Sequence, residues 1–486
     1  MKLFELLKNI KTKKIIYSAS KSKNICIKKL CFNSKKVDKK SIFFCISGTK
    51  VDATQYLSEA INNGAVAIVL QKQKISSIKN FDKNVTYIFV DNVRQTMAKM
   101  SANFYKNPQK KLKMIGITGT NGKTSTSYII AQMLKNFNKK VGVIGTSGIF
   151  IDSKKYLATL TTPDSIELFK ILSQMVKNEI EYCVMEVSAH AIYLDKTFGI
   201  NWAVQVLTNI KTDHLDFFES QKKYQETKQS FFSKGKNFVI NGDDKVGKIL
   251  AQRYNKKSIT FGFQANNDIK IKACNLTLFD SNFDICYCKN YYNFSTNLVG
   301  RFNLYNFASA LAVLQKLGFS MQKLQKIKQK YKILGRFSVF EYKSNCNIII
   351  DYAHTTDSLK NFLKTVKSVS KNKNIIIFGC PGERESQKRF DMGYLAGKYC
   401  DFVIVTTDNP ASENPRRIGF EILCGANKTN KNSAFIEDRS KAIKKAFELA
   451  KDNTNILIVG KGTEEYQIFG DKKIEYSDFE EIKKYL

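Results

Sequence analysis

The sequence predicts an α/β protein of three domains, over residues 1–110, 111–335 and 336–486. Three observations predict it. Short apolar runs alternate with helix-period segments along most of the chain, which is the pattern of strands joined by crossover helices. A polar stretch at 105–111, holding one of only five prolines, interrupts that alternation and sets the first boundary. At 486 residues the chain is well beyond one typical domain, so about three cores are expected.

In the first domain, residues 41–46, 56–61, 65–70 and 85–90 carry the alternation of short strands and helices. The second opens with an apolar strand at 113–117 and an amphipathic helix at 127–134. Further strands follow at 182–185 and 203–207, then shorter, antiparallel-looking ones between 268 and 298. In the third, strands at 347–350, 374–378, 401–405 and 455–459 alternate with helices near 357–368 and 391–398. A parallel, Rossmann-like sheet with crossover helices is the expected result.

Composition excludes several classes. The chain is 43% hydrophobic, and no apolar run approaches the roughly 18–20 residues of a membrane span. The start, Met1-Lys2-Leu3-Phe4-Glu5, has an acidic residue inside too short an apolar core to be a signal peptide, so a cytoplasmic protein without a membrane partner is expected. Eleven cysteines with no C-x-x-C pair fit reduced thiols better than a disulfide framework or a zinc module. A net charge of +36 raises nucleic-acid binding as an alternative. Only nine of the 79 basic residues are arginine, however, and the lysines are spread over the whole length, which suggests compositional drift rather than a built patch. No nucleic-acid partner is expected, although the charge can draw in an anionic substrate.

Residues 116–124, Gly-Ile-Thr-Gly-Thr-Asn-Gly-Lys-Thr, lie between a strand and a helix, as a phosphate cradle requires. Glycines let backbone N–H groups close on phosphate oxygens, and the helix N-terminus adds positive potential. Gly119, Thr120, Asn121, Gly122, Lys123, Thr124 and Ser125 are therefore assigned to a nucleoside triphosphate. Lys123 is expected on the terminal phosphates and the Thr124 hydroxyl on Mg²⁺. The three glycines recur every third residue, so the loop is a variant of the usual spacing.

The chain has three histidines, His190, His214 and His354, each beside acidic or hydroxyl residues just after a predicted strand. Ligands of open α/β sheets bind beyond such strand ends, so all three are expected at the phosphate loop or the cleft beside it. Glu186 ends another strand and suits a Mg²⁺ carboxylate. His214 offers an imidazole for a second cation.

Together, Gly-Thr-Asn-Gly-Lys-Thr (119–124), Thr-Thr-Pro-Asp-Ser (161–165), Met-Glu-Val-Ser-Ala-His (185–190), Thr-Asn-Ile-Lys-Thr-Asp-His-Leu-Asp (208–216), Leu-Gly-Arg-Phe (334–337) and Asp-Tyr-Ala-His (351–354) resemble the Mur ligases, in order and spacing across almost the full length. The resemblance is strongest to the branch that adds the third amino acid of the peptidoglycan stem peptide to UDP-N-acetylmuramoyl-L-alanyl-D-glutamate.

The resemblance implies an ATP-dependent amide ligase: ATP phosphorylates the D-glutamate side-chain carboxylate, and an incoming amine attacks the acyl phosphate. It implies a uridine-binding first domain, a central ATPase domain and an amino-acid-selecting third domain, working as a monomer. One Mg²⁺ site would use Thr124 and Glu186, the other His214 and a carbamylated Lys228, which would otherwise read as an exposed lysine. Lys123, Glu186, His214 and Lys228 are the implied catalytic set. Asn303 and Asn306 would lie near the adenine, and Arg336 and Asp351 near the ribose and phosphates. Ser34, within Asn33-Ser34-Lys35-Lys36-Val37, and Gly48-Thr49-Lys50-Val51-Asp52 are similar to the family's uridine site, with Asn33 and Lys35 departing from its usual Asp-Ser-Arg. Thr161, Thr162, Ser188 and Lys196 would contact the muramoyl-dipeptide. Lys196 stands for a usual Arg, and Leu194 for a residue that is commonly polar.

For the incoming diamino acid the implied contacts are Arg384, Asp408, Asn409, Pro410, Ala411, Gly460 and Glu464, with Glu464 holding the distal ammonium. Diaminopimelate enzymes carry Asp-Asn-Pro-Arg, whose Arg holds the distal carboxylate, whereas this chain has Ala411. Alanine favours L-lysine, but Arg416 or Arg417 could compensate. Meso-2,6-diaminopimelate, the commoner substrate of the family, is the expectation. A folylpolyglutamate synthase-like ligase is a further alternative, opposed by the roughly 110 residues that precede the loop strand.

Overall fold

The computed structural model describes residues 1–19, 25–46, 53–76, 78, 80–343 and 345–486, with the side chain of Asp216 excepted. The 48–52 segment therefore lies outside the described residues. The chain divides into two compact units, Met1–Gly116 with Asn138–Ala203 and Ser233–Lys236, and Ile117–Phe137 with Val204–Phe232 and Asn237–Leu486.

The first unit holds a five-stranded sheet of β1 (Lys14–Ile16), β2 (Lys29–Cys31), β3 (Ser41–Phe44), β4 (Ala65–Gln71) and β5 (Thr86–Val90) in the order β1-β5-β4-β3-β2. All neighbours are parallel except β1 with β5. Alternate side chains feed two cores: Ile42, Phe44, Val69 and Ile88 on one face, Phe43, Ile68, Leu70 and Phe89 on the other. Two-sided burial explains why these strands read as unbroken apolar runs. The 56–61 segment is a 3-10 turn leading into the helix Leu57–Asn62.

The phosphate-loop strand β6 (Lys113–Thr118) runs from the first unit into the second. In the first unit, β7 (Val141–Gly145), β8 (Gly148–Ile151) and β9 (Lys154–Tyr156) form antiparallel neighbours, and β10 (Tyr182–Glu186) lies parallel to β7.

In the second unit β11 (Trp202–Leu207), which begins in the first, β12 (Phe238–Asn241), β13 (Ser258–Gly262) and β14 (Ile269–Leu276) run parallel, and β15 (Ser281–Tyr287) and β16 (Asn290–Thr296) continue antiparallel. The antiparallel expectation for 268–298 is met. A further sheet takes β17 (Ser338–Tyr342), β18 (Cys346–Asp351), β19 (Lys373–Phe378), β20 (Phe402–Val405), β21 (Ser433–Phe435) and β22 (Thr454–Val459) in the order β17-β18-β22-β19-β20-β21. Only β17 is antiparallel there. Ile349, Ile376, Val403 and Leu457 fill one face and Ile348, Ile375, Ile404 and Ile456 the other. A hairpin, β23 (Tyr466–Phe469) with β24 (Lys472–Glu475), follows.

The helix expected at 127–134 spans Lys123–Asn136. It starts earlier because Gly122, at φ 85°, turns the chain so that Lys123 is already helical. Thr355 and Ser358 form a reciprocal cap that starts the helix Thr356–Val369 directly after the Asp351–His354 motif. Among the described residues no helix is long and apolar enough to cross a membrane. None of the eleven cysteines is in a disulfide.

Candidate active site

The phosphate loop leaves the end of β6 and is held by the end of β11. Thr120 N–H donates to Asn209 O at 2.9 Å and Asn121 N–H to Asn209 Oδ1 at 3.0 Å. The Thr208 hydroxyl donates to Asn121 O at 2.6 Å. Two glycines are obligatory in this packing. A Cβ on Gly119 (φ 152°) would stand 1.9 Å from Thr208 Oγ1, and one on Gly122 would stand 2.4 Å from Asn306 Oδ1. Lys123 Nζ donates to Gly119 O and Thr120 O at 2.9 and 3.0 Å. Thr124 and Ser125 are buried in the first helical turn. Arg336 Nη2 donates to Thr124 Oγ1 at 3.3 Å. Asn306 is buried beside the loop, donates to Asn303 Oδ1 at 3.2 Å and accepts from Thr126 at 3.4 Å.

Lys228 is far from the exposed lysine its sequence suggests: it is 1% exposed, and its Nζ donates to Gly119 O at 2.9 Å. The helix Gln221–Ser230 brings it there, with the Tyr224 ring 4.8 Å from Nζ and the Tyr224 hydroxyl 3.1 Å from Thr120 Oγ1. Burial, and secondarily the charge of Lys123, hold the Lys228 ammonium well below its ordinary pKa, favouring a neutral, nucleophilic amine. His214, at φ 54°, starts the short helix Leu215–Phe218 with its Nε2 3.5 Å from Asp213 Oδ2 and its ring centroid 6.3 Å from that of Tyr224.

In the first unit Glu186 ends β10 with 1% exposure and accepts from Thr146 N–H at 3.1 Å and Thr146 Oγ1 at 3.2 Å. Thr161 Oγ1 is 3.0 Å from Thr146 Oγ1, Thr162 Oγ1 donates to Glu186 O at 2.9 Å, and Ser188 N–H donates to Thr162 Oγ1 at 3.0 Å. The structure thus brings Thr161, Thr162 and Ser188 around Glu186. Lys196 pairs with Asp164 at 3.0 Å. His190 lies on the short helix capped by Ser188. Ser34 is buried in its own 3-10 turn, capped by Asn33.

The third group of expected residues sits at the carboxyl ends of β18, β20 and β22. Asp351 accepts from Phe337 N–H at 2.7 Å and Ala353 N–H at 2.8 Å; burial pushes its pKa up to about 6 against the pull of Arg336. The Arg336 guanidinium lies 4.4 Å over the Tyr352 ring, and Tyr352 donates to Glu464 Oε1 at 3.2 Å. Asn409 Nδ2 donates to Glu464 Oε2 at 3.0 Å. Gly460 fits closely, since a Cβ there would stand 2.9 Å from Asp408 Oδ2. Pro410 precedes Ala411, which is at φ 51° and is tied by its N–H to Ile468 O at 3.1 Å. Arg384 is exposed. His354 is half-buried, and its Nδ1 donates to Tyr352 O at 2.9 Å. Burial lowers its pKa to about 4.

Neither candidate compensator for Ala411 is uncommitted: Arg416 pairs with Glu437 at 2.9 Å and Arg417 with Glu421 at 3.3 Å. Arg389 is buried between Glu413 and Glu421. Beneath the group, Arg439 and Asp478 form a fully buried ion pair at 2.7 Å, and Arg439 Nη2 also donates to Val459 O at 3.1 Å.

Sequence reasoning passed over Tyr224, Thr146 and Lys461. Lys461 had a readable signal, a lysine flanked by two glycines just after a strand. Tyr224 and Thr146 had none beyond their neighbours.

Residues 117–314 match the Mur ligase middle domain, and residues 335–462 match the Mur ligase glutamate ligase domain. The chain belongs to the Mur ligase family. Among Mur ligases it is 38% identical over 466 residues, 95% of each chain, to UDP-N-acetylmuramoyl-L-alanyl-D-glutamate--2,6-diaminopimelate ligase 1 of Clostridium acetobutylicum. It is 37% identical to the diaminopimelate ligase of Caldanaerobacter subterraneus subsp. tengcongensis, covering 100% of this chain and 99% of the relative. A solved UDP-N-acetylmuramoyl-L-alanyl-D-glutamate--2,6-diaminopimelate ligase superposes with a TM-score of 0.66 at 27% identity, covering 94% of both chains. As in other Mur ligases, a mixed α/β architecture serves ATP-dependent ligation.

Proposed function

We propose that this Mur ligase joins meso-2,6-diaminopimelate to the D-glutamate of UDP-N-acetylmuramoyl-L-alanyl-D-glutamate, with ATP converted to ADP and phosphate. The observation that carries the reading is the unbroken line of contacts Thr124, Arg336, Tyr352, Glu464, from a phosphate-binding helix N-terminus to a carboxylate suited to an amino acid's ammonium group. A ligase of this chemistry needs a triphosphate and an amine served by one framework.

In this reading the loop backbone and Lys123 bind the phosphates, Asn303 and Asn306 the adenine, and Arg336 and Asp351 the ribose and phosphates. Ser34 serves the uridine, and Thr161, Thr162, Ser188 and Lys196 the muramoyl-dipeptide. Residues 1–110, 111–335 and 336–486 are then its uridine, ATP and amino-acid domains, in a cytoplasmic monomer that needs neither nucleic acid nor membrane.

Mg²⁺ suits the donors available. Thr124 offers a hydroxyl, Glu186 a buried carboxylate, His214 an imidazole, and Lys228 a buried amine whose suppressed ammonium is competent to take up CO₂ and become an oxygen donor. When bound, Mg²⁺ would neutralise charge accumulating on the phosphates.

A second reading, with L-lysine as the added residue, is favoured by Ala411 and by the pairing of Arg416 and Arg417. The deciding experiment is ADP release in the presence of UDP-N-acetylmuramoyl-L-alanyl-D-glutamate with meso-diaminopimelate or L-lysine. Turnover with neither would sink both readings. Turnover on a folate acceptor alone would indicate a folylpolyglutamate synthase-like enzyme.

A further inference from the structure

We infer that Lys461 is a positioning residue of the amino-acid pocket: its buried ammonium fixes Asn409 and Glu464 against each other and so sets how the pocket receives the distal ammonium of a diamino acid. The inference rests on the reading of residues 408–411 and 460–464 as that pocket.

The two loops need a bridge. They follow β20 and β22, which are not neighbours, because β19 lies between them. Gly379, just past β19, lets the loop after β20 fold closely over it: a Cβ there would stand 2.2 Å from Thr406 O and 3.0 Å from Asp408 N. Lys461 makes the link. Its Nζ donates to Asn409 Oδ1 at 3.1 Å and to Glu464 Oε2 at 3.3 Å, and lies 3.8 Å from Asp408 Oδ1. The side chain is completely buried, and a desolvated ammonium persists only where anions and acceptors surround it.

The bond pattern also dictates orientation. Asn409 Oδ1 accepts from Lys461 Nζ and from Ile468 N–H at 3.1 Å, so the amide nitrogen must face Glu464. A flipped amide would set its NH₂ against two donors. Glu464 is held at both oxygens, by Tyr352 at Oε1 and by Asn409 and Lys461 at Oε2. Its carboxylate is thus aimed before any substrate arrives, which spares ordering cost on binding. Asp408 and Glu464 against Lys461 leave one surplus negative charge, matched to one ammonium group.

The test measures KM for the diamino acid, for ATP and for the UDP-linked dipeptide, with thermal midpoints, in wild type, Lys461→Met, Glu464→Gln and the double variant. Lys461→Met is expected to raise the diamino-acid KM about tenfold or more while the other two KM values stay within about twofold. The double variant is expected to be no worse than Glu464→Gln, because Lys461 acts through Glu464. An unchanged diamino-acid KM, an equal rise in all three, or additive losses in the double variant would overturn the inference. If Lys461→Met does not fold, the double variant, which removes both charges of the Lys461–Glu464 pair, decides against Glu464→Gln alone. Absence of wild-type turnover with either diamino acid would instead refute the functional reading itself.

Discussion

Arg336 reaches back 212 residues to donate to the Thr124 hydroxyl, while its guanidinium covers the Tyr352 ring. One side chain therefore touches the phosphate loop through its edge and the proposed amino-acid pocket through its face. A planar, delocalised cation can do both at once, and an ammonium cannot.

Arg336→Lys keeps the charge but loses the stacked plane. Its KM for ATP should rise about tenfold in the ADP-release assay, with little change in thermal midpoint. An unchanged KM would remove Arg336 from the nucleotide site.

Gly122→Ala forces a side chain into a left-handed backbone, which costs about 1–2 kcal/mol before the clash with Asn306 is counted. ADP affinity by calorimetry should fall at least about tenfold from the strain and clash together, with far-ultraviolet circular dichroism unchanged. Retained affinity would show that the loop relaxes.

Lys228 predicts dependence on CO₂. Because burial and Lys123 lower its ammonium pKa, the neutral amine is available at lower pH than for an ordinary lysine. Stripping bicarbonate should reduce wild-type turnover, and restoring it should recover activity. Lys228→Ala should lose about a hundredfold or more and ignore bicarbonate. A bicarbonate-insensitive wild type would exclude the carbamate.

Asp351 and His354 make opposing contributions to stability against pH. The raised Asp351 pKa favours the folded state below about 4, and that contribution is lost as pH rises through about 6. The lowered His354 pKa works the other way: its burial is without penalty above about 6.5, and stability is lost as pH falls toward about 4. In wild type the two largely offset. His354→Gln should therefore expose a thermal midpoint that falls between pH 4 and pH 6. A midpoint that rises across this window would contradict the assignment.

Ala411→Arg should raise kcat/KM for meso-diaminopimelate relative to L-lysine by about tenfold or more, by supplying a partner for the distal carboxylate. No change in the ratio would mean that position 411 does not face that group.

The strands at 65–70, 374–378 and 455–459 were legible because two-sided burial leaves unbroken apolar runs, and Gly119 to Thr124 because the loop's task falls on the backbone. β21, three residues long, and the hairpin β23–β24 were not, since neither buries enough apolar surface to mark the sequence. Lys228 shows the limit most plainly. Its burial comes from a carbonyl 109 residues earlier, and nothing local distinguishes it from the other lysines. Only the likeness of whole motifs singled it out.

The buried pair of Arg439 and Asp478 ties the helix Asp478–Lys483 to the strand end that leads into the proposed amino-acid pocket. Until Asp478 has been synthesised, Arg439, which donates to the carbonyl of Val459 next to Gly460, lacks its counter-ion. Ordering of the strand end at Val459 and docking of the helix Asp478–Lys483 are therefore linked. A nascent chain that already carries every expected active-site residue would still lack the buried pair that supports the proposed amino-acid pocket.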